Sequence, residues 1–169
     1  MDTEMHPTIA GKTITIRPIR RTDTDIEANF VRQLSPMAKH YRFLGGVKEL
    51  SPTELKRFCE VDGKHSMAFV ATTTQGGSET QIGVSRYAPN SKSDTREIAL
   101  TLADDWHGKG LGPLLMKQLI ASAIEHGVKR LYAIELIDNA EMRTLADELG
   151  MSTQADPDDA RQLIYTLML

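Results

Sequence analysis

The stretch Arg96–Ile120, REIALTLADDWHGKGLGPLLMKQLI, changes character twice. It opens as a strand: Ile98, Leu100 and Leu102 fall on one face, and Glu97, Ala99, Thr101 and Ala103 on the other. It closes as a helix, expected from about Lys109 to His126, with Leu111, Leu115, Leu119 and Ile120 on its apolar side and Gly127 to end it. Between the two stand Gly108, Gly110 and Gly112. Glycine gives up backbone order, so it is placed where φ must be positive or where something must come close to the chain. Pro113 falls in the helix's first turn, where the N–H groups have no intrahelical partner and proline is tolerated. Those orphan donors and the positive end of the helix dipole form an anion site, and Lys109 adds a mobile charge. The expected visitor is a phosphate.

The rest of the chain can be read outward from this turn. The first ten residues carry no pattern and are expected to be a flexible arm, leaving residues 11–169 as one domain. Thr13–Arg17 alternates like a strand and stops at Pro18. Thr24 with Glu27 is a capping-box candidate before a helix bearing Ile26, Phe30, Val31 and Leu34. A second helix is expected over Pro36–Phe43, stopping at Gly45-Gly46, and a third from the cap Ser51-Pro52-Thr53-Glu54 to about Val61. MAFVATT (67–73) and QIGVSRY (81–87) are strand-like around the Gly76-Gly77 turn. Beyond the central helix, Leu131–Ile137 reads as a buried strand. Asp138 caps a helix with Met142, Leu145 and Leu149, and two short strands flank the acidic turn 156–159. The fold class is therefore α+β: a mostly antiparallel sheet of six or seven strands, one parallel strand–helix–strand crossover, and helices on both faces.

Composition narrows the partners. Lys plus Arg number 20 against 23 for Asp plus Glu, a net charge of −3, which argues against nucleic acid and anionic membranes as partners. No apolar run approaches the ~18 residues of a spanning helix, and the N-terminus does not read as a signal peptide. Cys59 is the single cysteine, which suits a reducing cytoplasm, and its helical neighbours make it a small buried hydrophobe. The histidines at 6, 40, 65, 107 and 126 have no metal-ligand spacing, so no metal is expected. Monomer and homodimer both stay open.

Three phosphate-binding turns compete with a merely flexible connection. A Walker loop requires G-x-x-x-x-G-K-[ST], which is absent. A dinucleotide fingerprint, with Glu135 as ribose acid, would put glycine or alanine where Pro113 stands and would follow the first strand rather than a late one. The third reading fits: HGKGLG (107–112) resembles the pyrophosphate loop of the GCN5-related N-acetyltransferase (GNAT) family, [Q/R]-x-x-G-x-[G/A], with His107 in the Gln/Arg place. The resemblance covers nearly the whole chain. YRFLG, ELSP, MAFVA, SRYAP, ADDWHGKGLG and LMKQLI are similar to the acetyltransferase domain of bacterial Pat-type protein lysine acetyltransferases. The synthetase-like or cyclic-nucleotide-binding regions often fused to that domain do not fit in 169 residues, so a free-standing catalytic module is expected.

The resemblance implies an acetyl-CoA-dependent N-acetyltransferase. Its pyrophosphate is then held by the segment His107, Gly108, Lys109, Gly110, Leu111, Gly112 and Pro113. Its pantetheine runs along the backbone of Leu100, Thr101 and Leu102, in a gap splayed between two parallel strands. Asn139 matches a family asparagine at the start of the next helix and is equally a candidate helix cap. An amine must lose a proton before it attacks, a cost of roughly 4 kcal/mol for a lysine at neutral pH, so a general base is needed. Glu97 is the candidate: a charge on a face of small side chains leaves room for a ligand and invites partial burial, which would raise its pKa. The same position carries the glutamate base in the Pat-type enzymes. The family tyrosine seven residues after the asparagine is replaced by Ala146, and a thiolate can leave without obligatory protonation. The acceptor is expected to be a protein lysine, with a small amine (polyamine, aminoglycoside or amino acid) as the alternative. A non-catalytic acyl-CoA sensor is the reading from outside the enzyme class.

Overall fold

The computed structural model describes residues 4–44 and 49–169. Residues 5–9 do not form a free arm. Met5 exchanges two backbone hydrogen bonds with Ile16, at 2.8 and 2.9 Å. β1 (Thr8–Ile9) and β2 (Lys12–Thr13) form a hairpin over Ala10 and Gly11, both at positive φ. Two successive positive-φ residues give the tight turn whose twist matches its strands. Ile9 is buried by the packing that results, so residues 5–9 belong to the folded body and the expectation of a flexible segment there is corrected.

β3 (Thr15–Pro18) leads through a short 3-10 turn into α1 (Thr24–Gln33). The expected Thr24–Glu27 capping box does not form. Asp23 is the cap residue, and its carboxylate takes Arg17 at 2.7 and 2.9 Å and the Arg20 N–H at 2.7 Å. Glu27 turns inward instead and accepts from Gln81 Nε2 at 2.6 Å. α2 (Pro36–Phe43) starts at its expected residue, with Ser35 Oγ accepting from Ala38 N, while the Gly45-Gly46 stop lies outside the described residues. α3 (Pro52–Cys59) carries the full Ser51/Glu54 box.

β4 (Met67–Gln75), β5 (Ser78–Pro89) and β6 (Thr95–Leu102) make an antiparallel meander. α4 (Leu111–Glu125) crosses over to β7 (Arg130–Leu136), and α5 (Ala140–Leu149), β8 (Ser152–Ala155) and β9 (Gln162–Met168) complete the chain. The seven-stranded order is β3-β4-β5-β6-β7-β9-β8, with β6–β7 the parallel pair. Alternation along β4 supplies both cores. Met67, Phe69 and Ala71 pack with Leu111, Leu115 and Leu119 of α4, while Ala68 and Val70 pack with Phe30 and Val31 of α1 and Cys59 of α3. Helices thus cover both faces, as the sequence leads one to expect. Burial raises the Cys59 thiol to a pKa of about 11, which leaves it an inert packing group at neutral pH.

Candidate acyl-transfer site

The parallel pair is short. β6 is in register with β7 only at Thr95–Arg130, Arg96–Leu131 and Glu97–Tyr132, yet it stays paired to β5 from Pro89–Arg96 to Gly83–Leu102. From Ile98 onward the edge of β6 that faces β7 has no strand on it, and an unpaired edge offers a row of N–H and C=O groups to any extended guest. Leu100, Thr101 and Leu102 lie on that open length, where a pantetheine arm was expected. Glu97 is the last residue before the strands part. Its side chain is exposed rather than partly buried, and Tyr132 Oη donates to its Oε2 at 3.5 Å.

The glycine turn stands at the open end of the gap. A 3-10 turn over Asp104–Trp106 hands the chain to His107, and Gly108 and Gly110 stand at φ +70° and +87°. α4 begins at Leu111, so the amides of its first turn point out of the helix end toward the space beside Gly110. A Cβ built on Gly110 would meet nothing within 4 Å, which leaves that approach open. Gly112 differs: it is buried, and a Cβ there would meet Leu100 at 3.3 Å and Leu102 at 3.6 Å. Its lack of a side chain brings α4 close onto β6, so the glycine at this position serves packing, and only its backbone N–H is available to a phosphate. Leu111 is fully buried, so only its backbone is available to a ligand. Trp106 is buried too, with Lys109 Nζ 5.3 Å and Lys12 Nζ 5.9 Å from its ring, a packing anchor for the turn.

The profile of the acetyltransferase (GNAT) domain matches residues 13–152. The chain belongs to the GNAT acetyltransferase family. It is 41% identical over 159 residues to an acetyltransferase of Pseudomonas aeruginosa, an alignment covering 94% of this chain and 86% of that one. It is 33% identical over 141 residues to the acetyltransferase Pat of Mycolicibacterium smegmatis, covering 83% of this chain but 41% of Pat. Among solved structures, the GNAT domain of the S. lividans PAT matches with a TM-score of 0.87 and 26% identity, over 98% of this chain and 97% of that domain. Membership makes the protein an N-acetyltransferase, and the seven-stranded sheet with its single parallel pair is the GNAT fold.

Asn139 caps α5, its Oδ1 accepting from Met142 N at 3.1 Å, so it takes the role assigned to Asp138 in the sequence reading. Ala146, on the inner face of α5, is fully buried in the core. Of the other hydroxyls, Tyr87 Oη donates to the Lys64 carbonyl at 3.1 Å, a structural bond. Among the described residues no cluster of metal-ligating side chains forms.

Two residues near the gap were not expected as part of an acyl-transfer site: Arg42, and Glu135, which entered only as the ribose acid of the dinucleotide alternative. Glu135 of β7 is half-buried beyond the parting. Burial pushes its pKa up to about 7 against the opposing pull of Arg42 and Asn139, with Glu97 adding to the rise. Arg42 of α2 has its pKa drawn down to about 10 by burial and by Arg86, while Glu27, Glu135 and Glu97 act the other way. Its guanidinium lies over Phe43 and Phe58, at 5.1 and 5.6 Å. Next to it, Tyr41 Oη donates to the Asp138 carbonyl at 3.4 Å, so α2 spans from β6 to the turn after β7. Glu135 did leave a signal, a single charge inside the apolar run LYAIEL. For Arg42 the sequence holds none, because what matters is which strand α2 lies across.

Proposed function

We propose that this chain moves an acetyl group from acetyl-CoA to a primary amine, with a protein lysine ε-amine as the acceptor and Glu97 as the general base. One observation carries the reading: β6 and β7 part immediately after Glu97, and the gap they leave opens onto the glycine turn at the start of α4. Acetyl-CoA fits that path. The free edge of Leu100–Leu102 suits an extended amide arm, the amides beside Gly110 suit a pyrophosphate, and the thioester it brings is the activated acyl group. Glu97 then stands at the closed end of the gap, where the acyl group would lie, and takes the proton of the incoming ammonium so that the amine can attack. The thiolate leaves without a tyrosine at position 146 because its own basicity is low.

The lysine acceptor is supported by the motifs shared with the Pat-type protein lysine acetyltransferases and by the alignment to Pat. The test is a panel of lysine-bearing proteins and small amines incubated with acetyl-CoA while CoA release is followed. Glu97→Gln should lower turnover at least a hundredfold and leave acetyl-CoA affinity within about twofold, because an exposed carboxylate at the closed end touches none of the phosphates. No acceptor-dependent CoA release from the wild type would overturn the reading, and so would a Glu97→Gln variant with undiminished turnover.

A further inference from the structure

A second cleft opens away from the acyl-transfer gap, where the end of α1, the β1–β2 hairpin and the turn after β6 meet. Its volume is about 440 Å³, within the range of small-molecule sites. Ala103 on its wall lies at the far end of β6 from Glu97, roughly 20 Å away by strand rise, so an amine bound in the cleft is out of reach of that carboxylate. The inner walls are Phe30 and Leu34 of α1, Ile82 of β5 and Trp106, all buried.

One polar side chain on those walls is incomplete. Gln81 is 3% exposed, and its Nε2 donates to Glu27 at 2.6 Å. A carboxylate accepts, so the amide must present Nε2 to it and turn Oε1 away. That oxygen has no hydrogen-bond partner among the described residues. A β-bulge sets the side chain there: Ala71 pairs with Gly83 and Thr72 with Gln81, which leaves Ile82 over. Strict alternation would put Gln81 on the face of Gly83, toward Leu111 and Leu115 of α4, and the extra residue turns it to α1 and the cleft instead. A buried acceptor left bare costs stability until a guest supplies a donor.

The rim is charged with both signs. Lys12 and Lys109 bring Nζ to 5.9 and 5.3 Å from the same Trp106 ring, and Asp104 and Asp105 lead into that tryptophan. All four are exposed, and none is in an ion pair among the described residues.

We propose that this cleft is a second ligand site, for a small zwitterion of the amino-acid class with a hydrogen-bond donor at the far end of an apolar side chain. The carboxylate meets Lys12 and Lys109, and the ammonium meets Asp104 and Asp105. The apolar body lies against Phe30, Leu34 and Trp106, and the terminal donor reaches Gln81 Oε1. Tyrosine satisfies all of these demands, and phenylalanine all but the last. The inference goes beyond the acetyl-CoA reading and does not depend on it.

Trp106 is the single tryptophan, so its fluorescence, excited where tyrosine does not absorb, reports on the cleft itself. The experiment is titration of the whole chain with L-tyrosine, L-phenylalanine and tyramine. Tyrosine should bind saturably and about tenfold or more tighter than phenylalanine, the worth of one hydrogen bond to an otherwise unpaired acceptor. Tyramine, without the carboxylate, should bind severalfold more weakly than tyrosine. Lys12→Gln should weaken tyrosine to a similar degree and leave turnover and acetyl-CoA affinity unchanged. Gln81→Met should abolish the preference for tyrosine over phenylalanine, and the ligand pair tests the same bond in wild type should that variant not fold. Acetyl-CoA should bind alongside tyrosine. Equal affinities for tyrosine and phenylalanine in wild type would overturn the proposal, as would the lack of any saturable change in Trp106 fluorescence. Displacement of tyrosine by acetyl-CoA would also overturn it, by making the cleft part of the cofactor's path.

Discussion

Gly110→Val isolates the glycine turn from the rest of the fold. Gly110 sits at φ +87°, one residue before α4, and a Cβ there would have open space around it. Two consequences follow for the free protein. A side chain at positive φ costs roughly 1–2 kcal/mol of local backbone energy, and no core contact is lost because the new atoms point away from the body. For the complex proposed above, the same open space is the path of the pyrophosphate. A branched side chain standing in it removes at least one charge-assisted hydrogen bond, worth about 1.5–3 kcal/mol, which is about ten- to two-hundredfold in acetyl-CoA affinity. The control is Gly112→Ala, whose Cβ would press on Leu100 at 3.3 Å. It should lower the melting temperature through overpacking of the α4–β6 contact, costing about 1–3 kcal/mol, and leave affinity within about threefold in the protein that remains folded. Calorimetric titration with acetyl-CoA and thermal melts on both variants read the two effects separately. A Gly110→Val protein with an intact fold and wild-type affinity would show that the positive-φ glycines serve only the turn, and the assignment of the pyrophosphate site would fail.

Two further expectations concern the charges inside the protein. Arg17 and Asp23 form a two-pronged pair that is almost fully buried, with Glu79 at 2.6 Å as the outer partner. Asp23→Ala should therefore cost about 3–5 kcal/mol in urea unfolding. Burial raises the Asp23 pKa, but Arg17 and the Arg20 N–H lower it further, for a net depression. Its contribution is then present above the ordinary carboxylate range and lost as pH falls through the depressed value, so wild type should lose more stability on acidification below about pH 4 than the variant does. A cost under 1 kcal/mol would refute this. Glu135 has the opposite sign: its folded pKa, about 7, lies above its ordinary 4.5, so stability falls as pH rises between those values. Glu135→Gln should be more stable than wild type by about 1–3 kcal/mol at pH 8 and nearly equal at pH 4.5. Parallel pH–stability curves for the two proteins would show that Glu135 is not desolvated.

The glycine turn shows how far local sequence reaches. Periodicity placed the strand before the turn and the helix after it, because each side buries one face and the apolar spacing records which. Within the turn three glycines stand at equal spacing and look equivalent, yet only Gly108 and Gly110 need positive φ. What sets Gly112 apart is the distance to Leu100 on a packed neighbour, and that is a tertiary quantity. The same holds for Thr24 and Glu27, whose spacing is a capping box until Gln81 and Arg86 claim the carboxylate. It holds again for the arm, where Ala10 adopts φ +50° to close a hairpin that composition does not announce. In each case a buried polar group or apolar side chain found a better partner far along the chain than the one its neighbours offered.

The donor and acceptor sides of the gap differ in the same way. On the proposed reading acetyl-CoA is held mainly by backbone, through the free edge of β6 and the amides before α4, and backbone geometry is set by local glycine and strand patterns that survive in the sequence. The acceptor side proposed here is assembled from α2, β6 and β7, where Tyr41 reaches Asp138 and Arg42 lies within the field of Glu97 and Glu135. None of these residues is a sequence neighbour of the turn. Substitutions on α2 can therefore change which amine approaches Glu97 while the glycine turn stays as it is, and exchanging residues 36–43 between relatives should move acceptor preference without moving acetyl-CoA affinity. An exchange that shifted acetyl-CoA affinity by more than about tenfold, or about 1.4 kcal/mol, and left acceptor preference unchanged would place α2 on the donor side and refute this division.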